Sequence, residues 1–108
     1  MFYSNDINNH NDLNARQSNI NIFHEHINGG GANFTIFSGG SMEYVGDLWN
    51  DQISSVTVAP RTLVILFEHR GFQGATYRLT NSGDFPYLFN LPGPWNDITS
   101  SIVTYRLG

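Results

Sequence analysis

Apolar residues from position 20 onward fall in short runs rather than in long periodic stretches. Runs rich in β-branched and aromatic residues occupy residues 20–23, 56–58, 62–67 and 102–105. Clusters of Gly, Pro, Asn and Ser separate these runs, which is typical of short strands joined by turns. No window of about 11 residues or more keeps a 3.6-residue period, so we expect at most one helical turn. The pattern predicts an all-β sandwich or barrel.

Two blocks of the sequence recur. Residues 49–56 (WNDQISSV) recur at residues 95–102 (WNDITSSI), and a weaker block at residues 25–34 recurs at residues 68–77. Each copy spans about 45 residues and contains enough short segments for four strands. Two such copies predict eight strands that pack as two sheets about one core.

Residues 1–19 have a different composition, with six asparagines and few apolar residues. A polar tract of this kind does not offset the entropy lost on ordering, so we expect a poorly ordered extension before a domain at residues 20–108. The alternative is a strap that its larger apolar side chains hold against the domain or against a neighbouring molecule. These side chains are Phe2, Tyr3, Ile7 and Leu13.

The amino-acid composition limits the kinds of molecule that the chain could bind. The 108 residues fit one domain, and their net charge is −4. The five basic residues are all arginines scattered along the chain, which argues against a nucleic-acid partner. Cysteine is absent, which excludes disulfides, thiolate zinc sites and a cysteine nucleophile.

The hydropathy of the chain and its first residues indicate where we expect the protein to be located. No apolar run approaches the roughly 18 residues of a membrane span, so we expect no membrane partner. The first residues lack the basic and apolar regions of a signal peptide. We therefore expect a cytoplasmic location, or an extracellular one reached by a leaderless or processed route.

The two recurring loops carry oxygen-bearing side chains at matching positions. The first loop offers Asn50, Asp51, Ser54 and Ser55, and the second offers Asn96, Asp97, Ser100 and Ser101. Calcium prefers about six to eight oxygen ligands, and the absence of thiolates favours a hard cation. The alternative is ordinary turn chemistry, because Asn, Asp and Ser also stabilise loops without a ligand.

The recurring motifs resemble those of the βγ-crystallin superfamily, and of its single-domain microbial calcium-binding members in particular. The resemblance rests on residues 67–74 (FEHRGFQG) and on the two Asn-Asp-x-x-Ser-Ser loops, and it covers about residues 20–107. It implies two Greek-key motifs, at about 20–59 and 62–107, that form an eight-stranded two-sheet sandwich. It also implies two calcium sites at one edge.

The resemblance further implies which residues hold each ion. One ion would be bound by Gln52, Ser54, Glu68 and Asp97. The other would be bound by Ile98, Ser100, Glu25 and Asp51. Asn50 and Asn96 would support the loops, while Ser55 and Ser101 would tie each loop to its hairpin.

Two departures from the family pattern make the sites unequal. His24 and Gly29 stand in the first copy where the second has Phe67 and Phe72, which loosens the first hairpin. Thr99 stands where an aliphatic residue usually enters the core.

Because each site has few carboxylates, we expect dissociation constants of roughly 10⁻⁵ to 10⁻³ M. We therefore expect a structural protein that binds calcium and is stabilised by it. Its role would be calcium buffering, or a part in stress or dormancy. We expect a monomer or weak homodimer with no identified protein partner.

Other functions are less favoured. No nucleophile elbow or triad pattern marks an enzyme. The sequence His24-Glu25-His26 could place two histidines on one strand face for zinc, but surface or half-buried histidines are commoner. The serious alternative is a secreted protein-binding module, such as a protease inhibitor or an antimicrobial-type protein. It would use the apolar residues 85–92, which could instead cover the core.

Overall fold

The computed structural model describes residues 19–108, and the Asn-rich extension at residues 1–18 lies outside the described residues. Eight strands make up the fold, which confirms the all-β prediction. They are β1 (Ile20–His24), β2 (Asn33–Phe37), β3 (Ser41–Met42), β4 (Ser55–Val58), β5 (Thr62–His69), β6 (Gln73–Asn81), β7 (Tyr87–Asn90) and β8 (Ser101–Arg106).

The strands form two antiparallel four-stranded sheets. The first sheet has the order β2-β1-β4-β7, and the second has the order β3-β8-β5-β6. The third strand of each copy therefore leaves its own copy: β3 joins β8, and β7 joins β4. This exchange of strands produces the Greek-key sandwich that the sequence predicts. It also brings both recurring loops to one edge of the molecule.

Alternation along the strands separates the core from the outer faces. In β1, Phe23 is fully buried while Ile20 and Ile22 are half-buried on the other face. Buried Asn21 is satisfied because its amide donates to the Ile36 carbonyl at 3.0 Å and its oxygen accepts from the Ala59 N–H at 2.8 Å. The largest fully buried apolar side chains are Phe23, Ile53, Leu66, Ile102, Val56, Val58 and Val64.

Helical structure is slightly more frequent than the sequence predicts. Two 3₁₀ turns of three residues each occur, at Ile27–Gly29 and Gly93–Trp95, where we expected at most one helical turn. The Pro92-Gly93-Pro94 sequence favours the second turn, because proline presets φ for its first positions. Among residues 19–108, no helix is long and apolar enough to cross a membrane.

The apolar segment at residues 85–92 is divided between the core and solvent. Leu91 is buried and Phe89 packs against the core, as expected for a cover. Phe85 and Tyr87, however, are 79% and 59% exposed. The segment is mainly an edge strand, β7, rather than a free loop.

Candidate metal centre

The two recurring loops clasp each other through their backbones. The Asp51 N–H donates to the Thr99 carbonyl at 3.3 Å, and the Asp97 N–H donates to the Ile53 carbonyl at 3.1 Å. Both aspartates have a left-handed backbone, with φ of 61° and 65°. Aspartate tolerates this conformation better than most residues, but it still costs free energy. The two backbone hydrogen bonds hold the loops side by side.

Side-chain hydrogen bonds also join the two copies. Ser54 Oγ donates to Asp97 Oδ1 at 3.0 Å. Ser100 Oγ donates to Asn50 Oδ1 at 2.6 Å. The fifth residue of each loop thus contacts an oxygen from the other copy, although the acceptor is the second loop residue in one case and the first in the other.

Each hairpin presents a glutamate to the loop of its own copy. The carboxylate of Glu25 accepts the Ala32 N–H at 3.2 Å, and that of Glu68 accepts the Ala75 N–H at 3.3 Å. Gly74 is needed in the second hairpin, because its φ is +85° and a Cβ there would lie 2.7 Å from the His69 ring. The hairpins therefore orient both carboxylates before any ligand arrives.

The sixth loop residues fasten the hairpins, as the sequence predicts. Ser55 Oγ donates to the His26 carbonyl at 2.6 Å, and Ser101 Oγ donates to the His69 carbonyl at 2.6 Å. Both serines are fully buried. Their hydroxyls hold each hairpin over the start of β4 or β8.

Two surface cavities lie at this edge. A cavity of about 260 Å³ is lined by Asn50, Asp51, Glu68, His69, Ile98 and Ser100. A cavity of about 190 Å³ is lined by Glu25, Ala32, Leu48, Trp49 and Gln52. The first therefore collects oxygen donors from both copies, whereas the second has a more apolar wall.

The cavity linings group the glutamates differently from the ligand sets that the resemblance implies. Asp51, Ile98 and Ser100 line one cavity together with Glu68, whereas the resemblance groups them with Glu25. Glu25 lies instead with Gln52. The reason is local: the Ser54 N–H bonds to the His24 carbonyl and the Ser100 N–H bonds to the Phe67 carbonyl, so each loop stays beside its own hairpin.

The supporting asparagines are not equivalent. Asn50 contacts Ser100 directly and lines the larger cavity. Asn96 is exposed, and its N–H bonds to the Pro92 carbonyl at 2.9 Å within the second 3₁₀ turn. Asn50 therefore contacts the loop of the other copy, whereas Asn96 bonds within its own.

The donor set suits a hard cation. Carboxylate, amide, hydroxyl and main-chain oxygens surround the larger cavity, which is the chemistry that calcium prefers. Within residues 19–108, no three His, Cys, Asp or Glu side chains cluster closely enough to form an all-side-chain centre. Hydroxyl, amide or carbonyl oxygens would therefore have to complete the coordination of any cation beside Asp51 and Glu68.

The two residues that depart most from the family pattern, His24 and Thr99, are both buried. His24 is buried beneath Gly29, and its Nε2 lies 2.8 Å from Thr57 Oγ1. Burial lowers the pKa of His24, and its Nδ1 has no hydrogen-bond partner. Phe23 does not take the place of the missing hairpin aromatic, because it lies in the core. Thr99 is fully buried, and its Oγ1 also lacks a partner.

Histidine pairs do not form a zinc site in this part of the chain. His24 packs against Thr57, whereas the side chain of His26 is 65% exposed beside Glu25. His69 has the corresponding position beside Glu68, at 3.7 Å.

Known structures resemble this arrangement. No protein-family model matches the chain. A βγ-crystallin domain from Clostridium beijerinckii matches with a TM-score of 0.66 at 26% identity, over 80% of this chain and 97% of that one. The chain has the βγ-crystallin domain fold.

Two further relatives are informative. A clostrillin double mutant, in which two serines are replaced by histidine, was solved in complex with nickel. It matches this chain with a TM-score of 0.64 at 26% identity, over 80% of this chain and 97% of that one. Human syncollin is 29% identical over 77 residues, which cover 68% of this chain and 57% of syncollin. The match thus spans little more than half of syncollin's length.

Sequence reasoning missed the contacts that hold the glutamates. The signal was present in the weaker recurring block, because Ala32 follows Glu25 at the same spacing at which Ala75 follows Glu68. That spacing lets the N–H on the returning strand reach the carboxylate. The contact of Asn50 with Ser100 was also not predicted, because it depends on how the two copies pack.

Proposed function

We propose that this chain is a non-catalytic calcium-binding protein with two cation sites formed jointly by its two copies. The observation that carries the proposal is the oxygen-lined cavity at the shared edge. It brings Asn50 and Asp51 of one loop together with Ile98 and Ser100 of the other, and with Glu68. Ordinary turn residues would not need to converge from three segments.

The second proposed site is built from the corresponding residues. Ser54 and Asp97 contact each other across the copies, and Glu25 lies beside Gln52. Calcium bound here would link the first hairpin, through Glu25, to the loop of the other copy, through Asp97. The more apolar wall formed by Trp49 and Leu48 makes this site different from the first.

Calcium binding would stabilise the domain, because it links the loops of both copies. At a hundredfold excess over the dissociation constant, the gain is about 2.7 kcal/mol for each site. Sites with few charged ligands fill only at high calcium, which suits buffering or a role in stress or dormancy. Equal stability with and without calcium would remove the basis for that role.

Calorimetric titration of the chelator-treated full chain tests the proposal. We expect two binding events with dissociation constants of roughly 10⁻⁵ to 10⁻³ M, and a higher melting temperature in calcium than in chelator. Asp51→Asn should weaken one event. Absence of both heat and a melting shift would overturn the proposal and leave the loops as turns.

A matched control separates site loss from a general change of charge. Asp84 is an exposed carboxylate paired with Arg61 at 2.8 Å, away from both loops. Asp84→Asn removes one negative charge, as Asp51→Asn does, yet it should leave both binding events unchanged. Equal weakening by the two variants would indicate a diffuse electrostatic effect instead.

Protein binding is a second candidate function, supported by the exposure of Phe85 and Tyr87 on the edge of the first sheet. Exposed aromatic residues of this kind are frequent at protein interfaces. A protease inhibition panel would test the inhibitor version directly. If the chain inhibits a protease and Phe85→Ser abolishes that inhibition, the result would support this function. If the chain inhibits no protease, the result would count against it.

A further inference from the structure

Each hairpin is fastened by a residue of the other copy, in addition to the serine of its own copy. In the second hairpin, the guanidinium carbon of Arg70 lies 3.9 Å from the centre of the Tyr44 ring, which is a cation–π contact. The Gly71 N–H also donates to the Glu43 carbonyl at 2.9 Å. Tyr44 is itself held, because its hydroxyl donates to Asp47 Oδ1 at 2.7 Å. This segment of the first copy therefore holds the hairpin of the second.

Asn90 fastens the first hairpin in the corresponding way. Its Oδ1 accepts from the Asn28 N–H at 2.7 Å, and its Nδ2 donates to Asn28 Oδ1 at 2.9 Å. Asn90 precedes Trp95 by five residues, just as Tyr44 precedes Trp49. The two contacts between copies are thus related by the internal repeat, although one is a cation–π contact and the other is a pair of hydrogen bonds.

The backbone is left-handed at the fastened part of both hairpins. The φ angle is 59° at Asn28 and 71° at Gly71. Asparagine adopts this conformation more readily than most residues, but the conformation still costs free energy and persists only where neighbouring contacts hold it. Asn90 supplies two such contacts to Asn28. The shape of the first hairpin therefore depends on a residue of the other copy.

The fastening side chains lie close to the glutamates in sequence, yet outside both cavities. Arg70 follows Glu68 by two residues, and Asn28 follows Glu25 by three. None of the four fastening side chains lines either cavity. The three uncharged ones can therefore influence a bound cation only through the position of the hairpin.

We propose that Tyr44 and Asn90 are positioning residues, each of which holds the glutamate of the opposite copy in place for a cation. Tyr44 sets the affinity of the site that contains Glu68, and Asn90 sets the affinity of the site that contains Glu25. A hairpin that is already held loses less conformational freedom when an ion binds, so the ion binds more tightly. This inference rests on the proposed calcium-binding function.

Amide hydrogen exchange in the calcium-free full chain tests the positioning directly. The Ala75 and Ala32 N–H groups each donate to the glutamate of their own hairpin, so their exchange rates report whether each carboxylate is in place. Tyr44→Ala should accelerate exchange at Ala75 roughly threefold or more and leave Ala32 unchanged, and Asn90→Ala should do the reverse. Equal acceleration at both amides in each variant would indicate general destabilisation and overturn the proposal.

Calorimetric titration with calcium tests the effect on affinity. Tyr44→Ala should raise the dissociation constant of the event that Asp51→Asn weakens, by roughly threefold, and Asn90→Ala should raise that of the other event. If the unaltered chain shows both events and neither variant changes them, this inference fails while the calcium function stands. If the unaltered chain shows neither event, the calcium function fails, and the role of the two residues in affinity fails with it.

Further variants keep the test decisive if Tyr44→Ala does not fold. Arg70→Met removes the cation at an exposed residue and should accelerate exchange at Ala75 as Tyr44→Ala does. Tyr44→Phe keeps the ring and should preserve slow exchange there. The matched control is Tyr105→Ala, at an exposed tyrosine that pairs with Leu63 near the far end of β5, and it should change neither amide. Fast exchange in Tyr44→Phe together with slow exchange in Arg70→Met would overturn the role of the ring.

Discussion

The hydroxyl of Ser54 donates a hydrogen bond of 3.0 Å to the carboxylate of Asp97, which lies in the loop of the other copy. Ser54 is buried. Ser54→Ala should therefore destabilise the calcium-free protein by about 1–2 kcal/mol, because a hydrogen bond to a charged group is lost. Urea unfolding in chelator measures this. Ser41→Ala, at an exposed serine of β3, should have little effect.

The grouping of the glutamates gives a second prediction. Glu25→Gln and Ser54→Ala should weaken the same calcium-binding event, so the double variant should lose little beyond the stronger single variant. Glu25→Gln and Ser100→Ala should weaken different events, and their effects should add. Calorimetric titration of the three single variants and the two double variants distinguishes these patterns. The reverse pattern would restore the exchange of glutamates expected from the sequence.

Thr99 offers a stabilising substitution. Its Oγ1 is buried without a hydrogen-bond partner, which carries a desolvation penalty. Thr99→Val keeps the shape and should raise the unfolding free energy by about 1 kcal/mol. Thr104→Val is the matched control. It should lower the unfolding free energy, because it removes the hydrogen bond of 2.7 Å that the Thr104 hydroxyl donates to the Gly40 carbonyl. Destabilisation by both variants would show that Thr99 Oγ1 does have a partner.

The pH dependence of stability should report on His24. Burial lowers its pKa in the folded state, so the unfolded chain binds the proton more tightly. Its contribution to stability is therefore complete above the ordinary pKa of about 6.5 and is lost as the pH falls below it. Urea unfolding of the chelator-treated protein between about pH 7.5 and 5 should show this decline.

Replacement of His24 isolates the effect. His24→Phe introduces the residue of the corresponding position, Phe67, and should flatten the decline. His69→Gln changes an exposed histidine beside Glu68 and should leave the decline in place. A decline that persists unchanged in His24→Phe would assign the pH dependence to other groups.

Much of the fold could be predicted because the signals are local. Alternation and turn residues marked the strands, and the recurrence of Trp-Asn-Asp and Ser-Ser marked two equivalent loops. The resemblance to βγ-crystallins then supplied the topology. The roles of Ser55 and Ser101 followed in the same way, since each serine bonds within its own copy.

The features that escaped prediction depend on how the hairpins fold within each copy and on how the two copies pack. Which glutamate lies beside which loop is decided by how each hairpin folds over β4 or β8, and sequence spacing does not encode that choice. The contact of Asn50 with Ser100 spans 50 positions of the chain. The exposure of Tyr87 likewise depends on β7 being an edge strand, which only the sheet order reveals.

The exchange of β3 and β7 between the sheets makes the two halves of the chain mutually dependent. Neither half contains a complete sheet, because each lends one strand to the other. The halves are joined covalently only through residues 59–61, yet they are interlocked by two strands and by the clasped loops. The connection is itself anchored, because Ala59 is fully buried and its N–H donates to Asn21. If the chain is severed at Arg61, we expect the two fragments to stay associated through the exchanged strands.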